Sequence, residues 1–173
     1  VNLSEGNFSV AMRYFLPVLA FALGIALAEI VHKKDLNLLH WRQAAVLVEA
    51  LILIGVAFFP QNMNLLANSL TSFACGIQVE SFRKIRGNGI ATTMCIGNMR
   101  SGTQNLCNYL QDRDIENLKK ALLYYGIIIC FICGAIVGNL FIKIFAEKAI
   151  LCCSALLFFA FTLMFIDYER EKE

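Results

Sequence analysis

The chain has 173 residues, of which 58% are hydrophobic and only 16% charged, with a mean hydropathy of +0.64. A soluble domain carries about a quarter charged residues, so this composition excludes an ordinary water-soluble globule and points to an all-α, polytopic transmembrane helical bundle. A net charge of +2 and a pI near 8.2 lack the basic stripe of a nucleic-acid binder, which leaves membrane lipids as the first partner.

Val1 to Gly6 has neither the basic start nor the apolar core of a signal peptide, and Val1 in place of an initiating Met reads as a start inside a longer protein. A spanning helix needs about 20 mostly apolar residues, and five segments approach that length. The first runs from about Tyr14 to Val31. It spaces Ala20, Gly24 and Ala28 by four, a small-residue face that lets helix backbones approach closely. Glu29, near its end, can pair with Lys33 one turn on. The second, about Ala44 to Phe59, is short and contains Glu49 between Val46 to Val48 and Ala50 to Ile54. An ionised carboxylate facing lipid there costs on the order of 2.5 kcal/mol or more, so Glu49 should face the interior, pair or be protonated, either as a proton- or cation-coupling group or as a structural carboxylate bonded to a neighbouring helix.

The third segment, Met63 to about Phe82, is dotted with Asn64, Asn68, Ser69, Thr71, Ser72 and Gln78, which predicts an interior position. Residues 83 to 120 follow as a long connection. Gly87-Asn88-Gly89 marks a turn, and the small, hydroxyl-rich stretch Thr92 to Gly102 is too short and too polar to cross cleanly. It reads as a re-entrant or broken segment near 90–110, with an amphipathic helix lying at the interface as the alternative. The fourth segment is Ala121 to Ile142 and the fifth Ile150 to Ile166.

Lys33, Lys34 and Arg42, together with Arg83, Lys84, Arg86, Arg100, Arg113, Lys119 and Lys120, fall in connections on one side of a five-span chain, which should be the cytoplasm. The tail 167–173 then ends there too. Trp41, Tyr14, Tyr124, Tyr125 and Tyr168 sit near helix ends, as an interfacial aromatic belt would place them.

Shifting the chain by 110 positions lays the first two segments on the last two: Phe21 on Phe131, Gly24 on Gly134, Ala28 on Gly138, and Ala45, Leu47, Ala50 and Leu53 on identical residues. Three spans per repeat would invert the second copy, as in many secondary transporters. The expected organisation is a single transmembrane domain, 1–173, with 1–62 as the remainder of a first repeat, 63–166 as the second, and six spans in the full protein.

The run Ala74-Cys75-Gly76-Ile77-Gln78, with Phe82-Arg83-Lys84, Thr92-Thr93 and Gly97-Asn98, resembles the core of the YoaK-like bacterial membrane proteins. The resemblance covers nearly the whole chain. It implies a multi-pass protein of the bacterial inner membrane, with a Thr-Gly-Asn type motif in each half, and no settled activity. Ile96 stands where that motif has Thr, while Thr92 and Thr93 lie one turn earlier.

The candidate residues for a substrate or ion site are Glu49, Gln78, Thr92, Thr93, Asn98 and Arg100. Arg100 with the backbone near Gly97 could hold an anion if the segment dips into the membrane, or lipid phosphate if it does not. No catalytic triad, HExxH, P-loop or dinucleotide fingerprint occurs, so the chain is read as neither enzyme nor cofactor carrier. Cys130 and Cys133 have CxxC spacing but no second pair and no nearby histidine, so no metal site is expected. The expected function is a small-solute secondary transporter or permease acting on a small solute or anion, with homo-oligomers allowed. The other class is a non-transporting scaffold, partner subunit or lipid-interacting protein.

Overall fold

A computed structural model describes residues 6–33, 41–85, 87–90, 92 and 94–170. Lys34, His40, Arg86, Thr93 and residues 171–173 of the tail lie outside them. The described chain is almost entirely helical: α1 (Phe8–Lys33), α2 (Trp41–Val56), α3 (Asn64–Ser81), α4 (Cys95–Asp112), α5 (Ile115–Phe145) and α6 (Ile150–Arg170). Short 3₁₀ turns at Gln61–Met63 and Ala146–Ala149 lead into α3 and α6. Two two-residue strands, β1 (Lys84–Ile85) and β2 (Asn88–Gly89), pair antiparallel across a turn in which Gly87 takes φ +79.

Among the described residues, two helices are long and apolar enough to cross a membrane. These are Val10–Lys33, of mean hydropathy 2.1, and Ile115–Phe145, of mean hydropathy 2.4; Ile150–Met164 is a shorter apolar helix. Their outward side chains include Leu23, Leu27, Ile129, Ile132, Ile136 and Leu140, all of them exposed. Apolar surface continuous over several turns is not left facing water, so the protein is membrane-associated.

The chain divides into two compact units. The first comprises residues 1–81 and 147–173, the second residues 82–146. In the first, α3 packs against both α1 and α2, and α2 packs in turn against α6, but the polar residues from which an interior position is expected do not set that packing, since Asn64 and Asn68 are exposed. The physical reason is backbone approach rather than polarity. A Cβ built on Gly24 would fall on the Phe73 carbonyl oxygen, with Phe73 C at 3.1 Å and Ile77 N at 3.2 Å; one built on Gly76 would fall on the Phe21 carbonyl oxygen, with Ile25 N at 3.1 Å. The two glycines therefore form a reciprocal crossing in which each helix rests on the other's backbone. Three hydroxyls along α3 are satisfied locally instead: Ser69, Thr71 and Ser81 donate to the carbonyls of Leu65, Ala67 and Ile77 at 2.8, 2.9 and 2.6 Å. Beside the crossing, Ala28, Ala45 and Ile77 form a small core that Trp41 and Phe73 cover.

In the second unit α4 lies along α5. Gly102 makes the contact close, since an added Cβ there would stand 3.2 Å from Tyr124 Cβ and 3.3 Å from Tyr125 Cε2. The hinge between the helices is built from two short-range devices. Arg113 closes α4 in the left-handed region at φ 54, its N–H donating to Tyr109 O, and the Asp114 side chain caps α5 by accepting from Glu116 N–H at 3.0 Å.

Candidate functional site

The buried positions of α2 are Gln43, Ala45, Val46, Glu49, Ala50 and Leu53, a stripe at helical spacing that turns one face toward α3 and α6. Glu49 sits in the middle of it, 5% exposed, within electrostatic reach of the Cys75 and Cys153 thiols. Its Oε2 is buried and accepts no hydrogen bond among the described residues. Gln43, two turns before it, is also buried but is paired, donating through Nε2 to Met164 O of α6 at 2.9 Å. The contrast matters because the two polar groups share a face, and only one has a bonded role in holding α2 to α6. Gln78 belongs to the same unit and is half-buried near the end of α3.

The remaining candidates lie in the second unit. Thr92 precedes α4, and its Oγ1 is the other buried side-chain oxygen without a hydrogen-bond partner among the described residues. Asn98 is buried at 3% exposure on the α4 face that also buries Gly102 one turn on. Arg100 is exposed, as are Ile96 and Gly97 around it, so Asn98 and Arg100 occupy opposite sides of α4. Thr93 lies outside the described residues. Within this unit the structure therefore buries Asn98, half-buries Thr92 with its Oγ1 enclosed, and leaves Arg100 outward. Residues 95–112 form one unbroken helix in place of the irregular backbone that their small, polar composition suggests.

An open apolar cleft of about 550 Å³ lies between α1 and the first turns of α3, walled by Leu16, Leu19, Ala20 and Leu23 on one side and Met63, Leu65, Leu66 and Ser69 on the other. None of the candidate residues lines it. Among the described residues no three His, Cys, Asp or Glu side chains come together as metal ligands would, and the seven cysteines are free thiols.

A family model described as "Protein of unknown function (DUF1275)" matches residues 1–163, which takes in α1 through most of α6 and both motif-bearing stretches, Ala74–Gln78 and Thr92–Asn98. The chain belongs to the DUF1275 family. No curated protein matches it, and no solved structure does.

In this DUF1275 chain, three aromatic residues do more than their place near helix ends implies. Tyr124 is buried at 7% exposure, and its hydroxyl donates to Gly89 O at 3.0 Å, tying α5 to the hairpin. Tyr125 shares a 2.9 Å hydrogen bond with Thr103 of α4. Trp41 packs on the α1–α2–α3 core with its ring edge-on to His32, centroids 5.6 Å apart. Sequence reasoning missed the tie of Tyr124 to Gly89 because the partner lies 35 residues away and is a backbone carbonyl. The Gly87-Asn88-Gly89 turn was the only available signal. Glu29 and Lys33 form the expected ion pair at 3.0 Å.

Proposed function

We propose that this DUF1275 protein is a small secondary transporter or permease of the bacterial inner membrane, with Glu49 as the group that binds the coupling proton or cation. The observation that supports it is the carboxyl of Glu49, buried on the packed face of α2 with one oxygen accepting no hydrogen bond among the described residues. A carboxylate in that setting is expensive to keep ionised and unpaired, so it carries a proton or has a cation beside it, and both states are those of a coupling residue. A residue retained only to hold helices together would be bonded, as Gln43 is.

The reading includes five membrane crossings in this chain, an inverted repeat relating α1–α2 to α5–α6, and a cytoplasmic side marked by the Lys- and Arg-rich connections. Gln78 accompanies Glu49 on the substrate path, the solute is a small molecule or anion, and the protein does no covalent chemistry. Thr92, Asn98 and Arg100 belong to the second unit. There the exposure of Ile96, at 81%, and Met99, at 53%, favours α4 as an amphipathic helix at the membrane interface, with Arg100 reaching lipid phosphate. The same surface is what a scaffold or lipid-interacting protein would use, which keeps that class as the second reading.

The test is flux. Chain reconstituted in liposomes with an internal pH-sensitive dye is offered a panel of small organic anions and neutral solutes. Transport predicts solute-dependent proton movement that Glu49→Gln abolishes while the protein stays folded. A scaffold predicts no flux with any solute and a copurifying partner.

A further inference from the structure

Which ion Glu49 takes is set by the groups around it, and these all belong to one compact unit. The main neighbours of α2 are α3 and α6, and the titratable groups they bring within electrostatic reach of Glu49 are Cys75 and Cys153. The contact of α1 with α2 is small and lies nearer the start of α2, where Ala28 shares a core with Ala45 and the His32 ring meets Trp41. Among the described residues no Lys, Arg or His acts on the Glu49 carboxyl. Its companions on the buried face of α2 are Ala45, Val46, Ala50 and Leu53, which carry no side-chain oxygen. The backbone offers none either: α2, α3 and α6 are unbroken α-helices, so their carbonyls at this level are committed to their own ladders. The buried hydroxyl of Ser154, next to Cys153, is turned back on α6 and donates to Ile150 O at 3.3 Å.

A hard cation such as sodium leaves water only where several oxygens replace its hydration shell, and transporters supply them from unwound helix backbone. Around Glu49 stand a single carboxyl group, two thiols and aliphatic side chains. Thiol sulfur suits soft metals instead, but among the described residues no three His, Cys, Asp or Glu side chains converge to hold one. A proton needs no such shell. It forms one O–H bond, makes the carboxyl neutral and removes the charge that apolar surroundings penalise. We propose that Glu49 is a proton site that excludes alkali-metal cations, its enclosed and unbonded Oε2 being the position left for the proton. The proposal rests on the reading of Glu49 as the coupling residue and names its ion. Solute movement then follows a pH gradient and is indifferent to sodium.

The experiment reads the carboxyl itself. Infrared spectra of the chain in phosphatidylcholine liposomes are taken over a pH series in choline, sodium or lithium chloride at equal concentration. The C=O stretch of a protonated carboxyl, shifted by isotope-labelled glutamate and missing in Glu49→Gln, reports Glu49. Glu49→Asp keeps the acid but loses the isotope shift, so the assignment does not depend on one variant folding, and emission of the single tryptophan, Trp41, checks each fold. The band is expected to titrate with the same midpoint in all three salts. A competing cation would stabilise the ionised form and lower that midpoint by about one pH unit for each tenfold rise in its concentration. Such a fall in sodium or lithium would overturn the proposal, as would a band absent at every pH at which the chain is folded. None of this requires flux. A chain that moves no solute yet keeps a salt-insensitive band contradicts the transport reading alone, and uptake driven by a sodium gradient at equal pH contradicts the proton assignment alone.

Discussion

Alanine at Gly24 should destabilise the protein, while alanine at Gly134, which the 110-residue shift lays on Gly24, should not. At Gly24 the new methyl would fall on the Phe73 carbonyl oxygen, with further backbone atoms at 3.1 and 3.2 Å, and no rotamer of a neighbour can relieve an overlap with backbone. Forcing α1 and α3 apart costs about 1–3 kcal/mol by comparison with other overpacked contacts. Weakening the close Cα–H···O contacts adds about 0.5–1 kcal/mol each. Against that stands the better helix propensity of alanine, about 1 kcal/mol, so a net loss of about 1–3 kcal/mol is expected. At Gly134 the methyl meets nothing within 4 Å, leaving only the propensity gain. The assay is reversible unfolding in mixed micelles with increasing dodecyl sulfate. Far-UV circular dichroism follows the whole chain, and the emission of Trp41, the single tryptophan, follows the α1–α2–α3 core that it packs against. If Gly24→Ala left the midpoint unchanged or raised it, the close crossing of α1 and α3 would be refuted.

Tyr124→Phe removes the hydroxyl bonded to Gly89 O and should cost about 0.5–1.5 kcal/mol, seen as faster hydrogen exchange at the Ile90 amide, which bonds Arg83 O at 2.9 Å. Asp114→Ala uncaps α5 and should cost about 1 kcal/mol, with fraying confined to residues 115–118 in the same exchange measurement. Gln43→Leu deletes the donor that joins α2 to Met164 O. In a membrane setting the loss should be about 0.6–1.7 kcal/mol, read through Trp41 in the micelle titration. Glu29→Gln breaks an ion pair whose lysine is 72% exposed, so the midpoint should hardly move.

Much of the helical layout was legible because its signals are local. The third segment, read as Met63 to Phe82, matches α3 at Asn64–Ser81, bounded by the Pro60 turn before it and the charged Arg83-Lys84 after it. Glu49 stood out as a charge inside an apolar run, and the structure buries it as that cost requires. Helix ends were read less well, because hydropathy reports where lipid could lie and not where hydrogen bonding stops. Thus α1 begins at Phe8, six residues before the apolar stretch, and α5 begins at Ile115, where the Asp114 cap and not hydrophobicity sets the start. Residues 95–112 hid a continuous helix behind Gly97, Gly102 and their polar neighbours. The signal was periodic: Asn98 and Gly102, four apart, make its buried face. Small residues at Ala20, Gly24 and Ala28 announced a packing face, but only the fold supplies Gly76 as the partner. The hydroxyls of α3 misled in detail, since a serine or threonine in a helix can satisfy itself on the carbonyl four residues back.

The central claim is that Glu49 carries the coupling ion of a transporter. It is tested most directly by measuring solute-dependent proton flux into liposomes containing the chain or its Glu49→Gln variant, with Trp41 emission confirming equal folding. The account predicts flux with the parent chain and none with Glu49→Gln at matched fold and protein density. Flux that survives the substitution unchanged, or a folded parent chain that moves no proton with any solute offered, would contradict it.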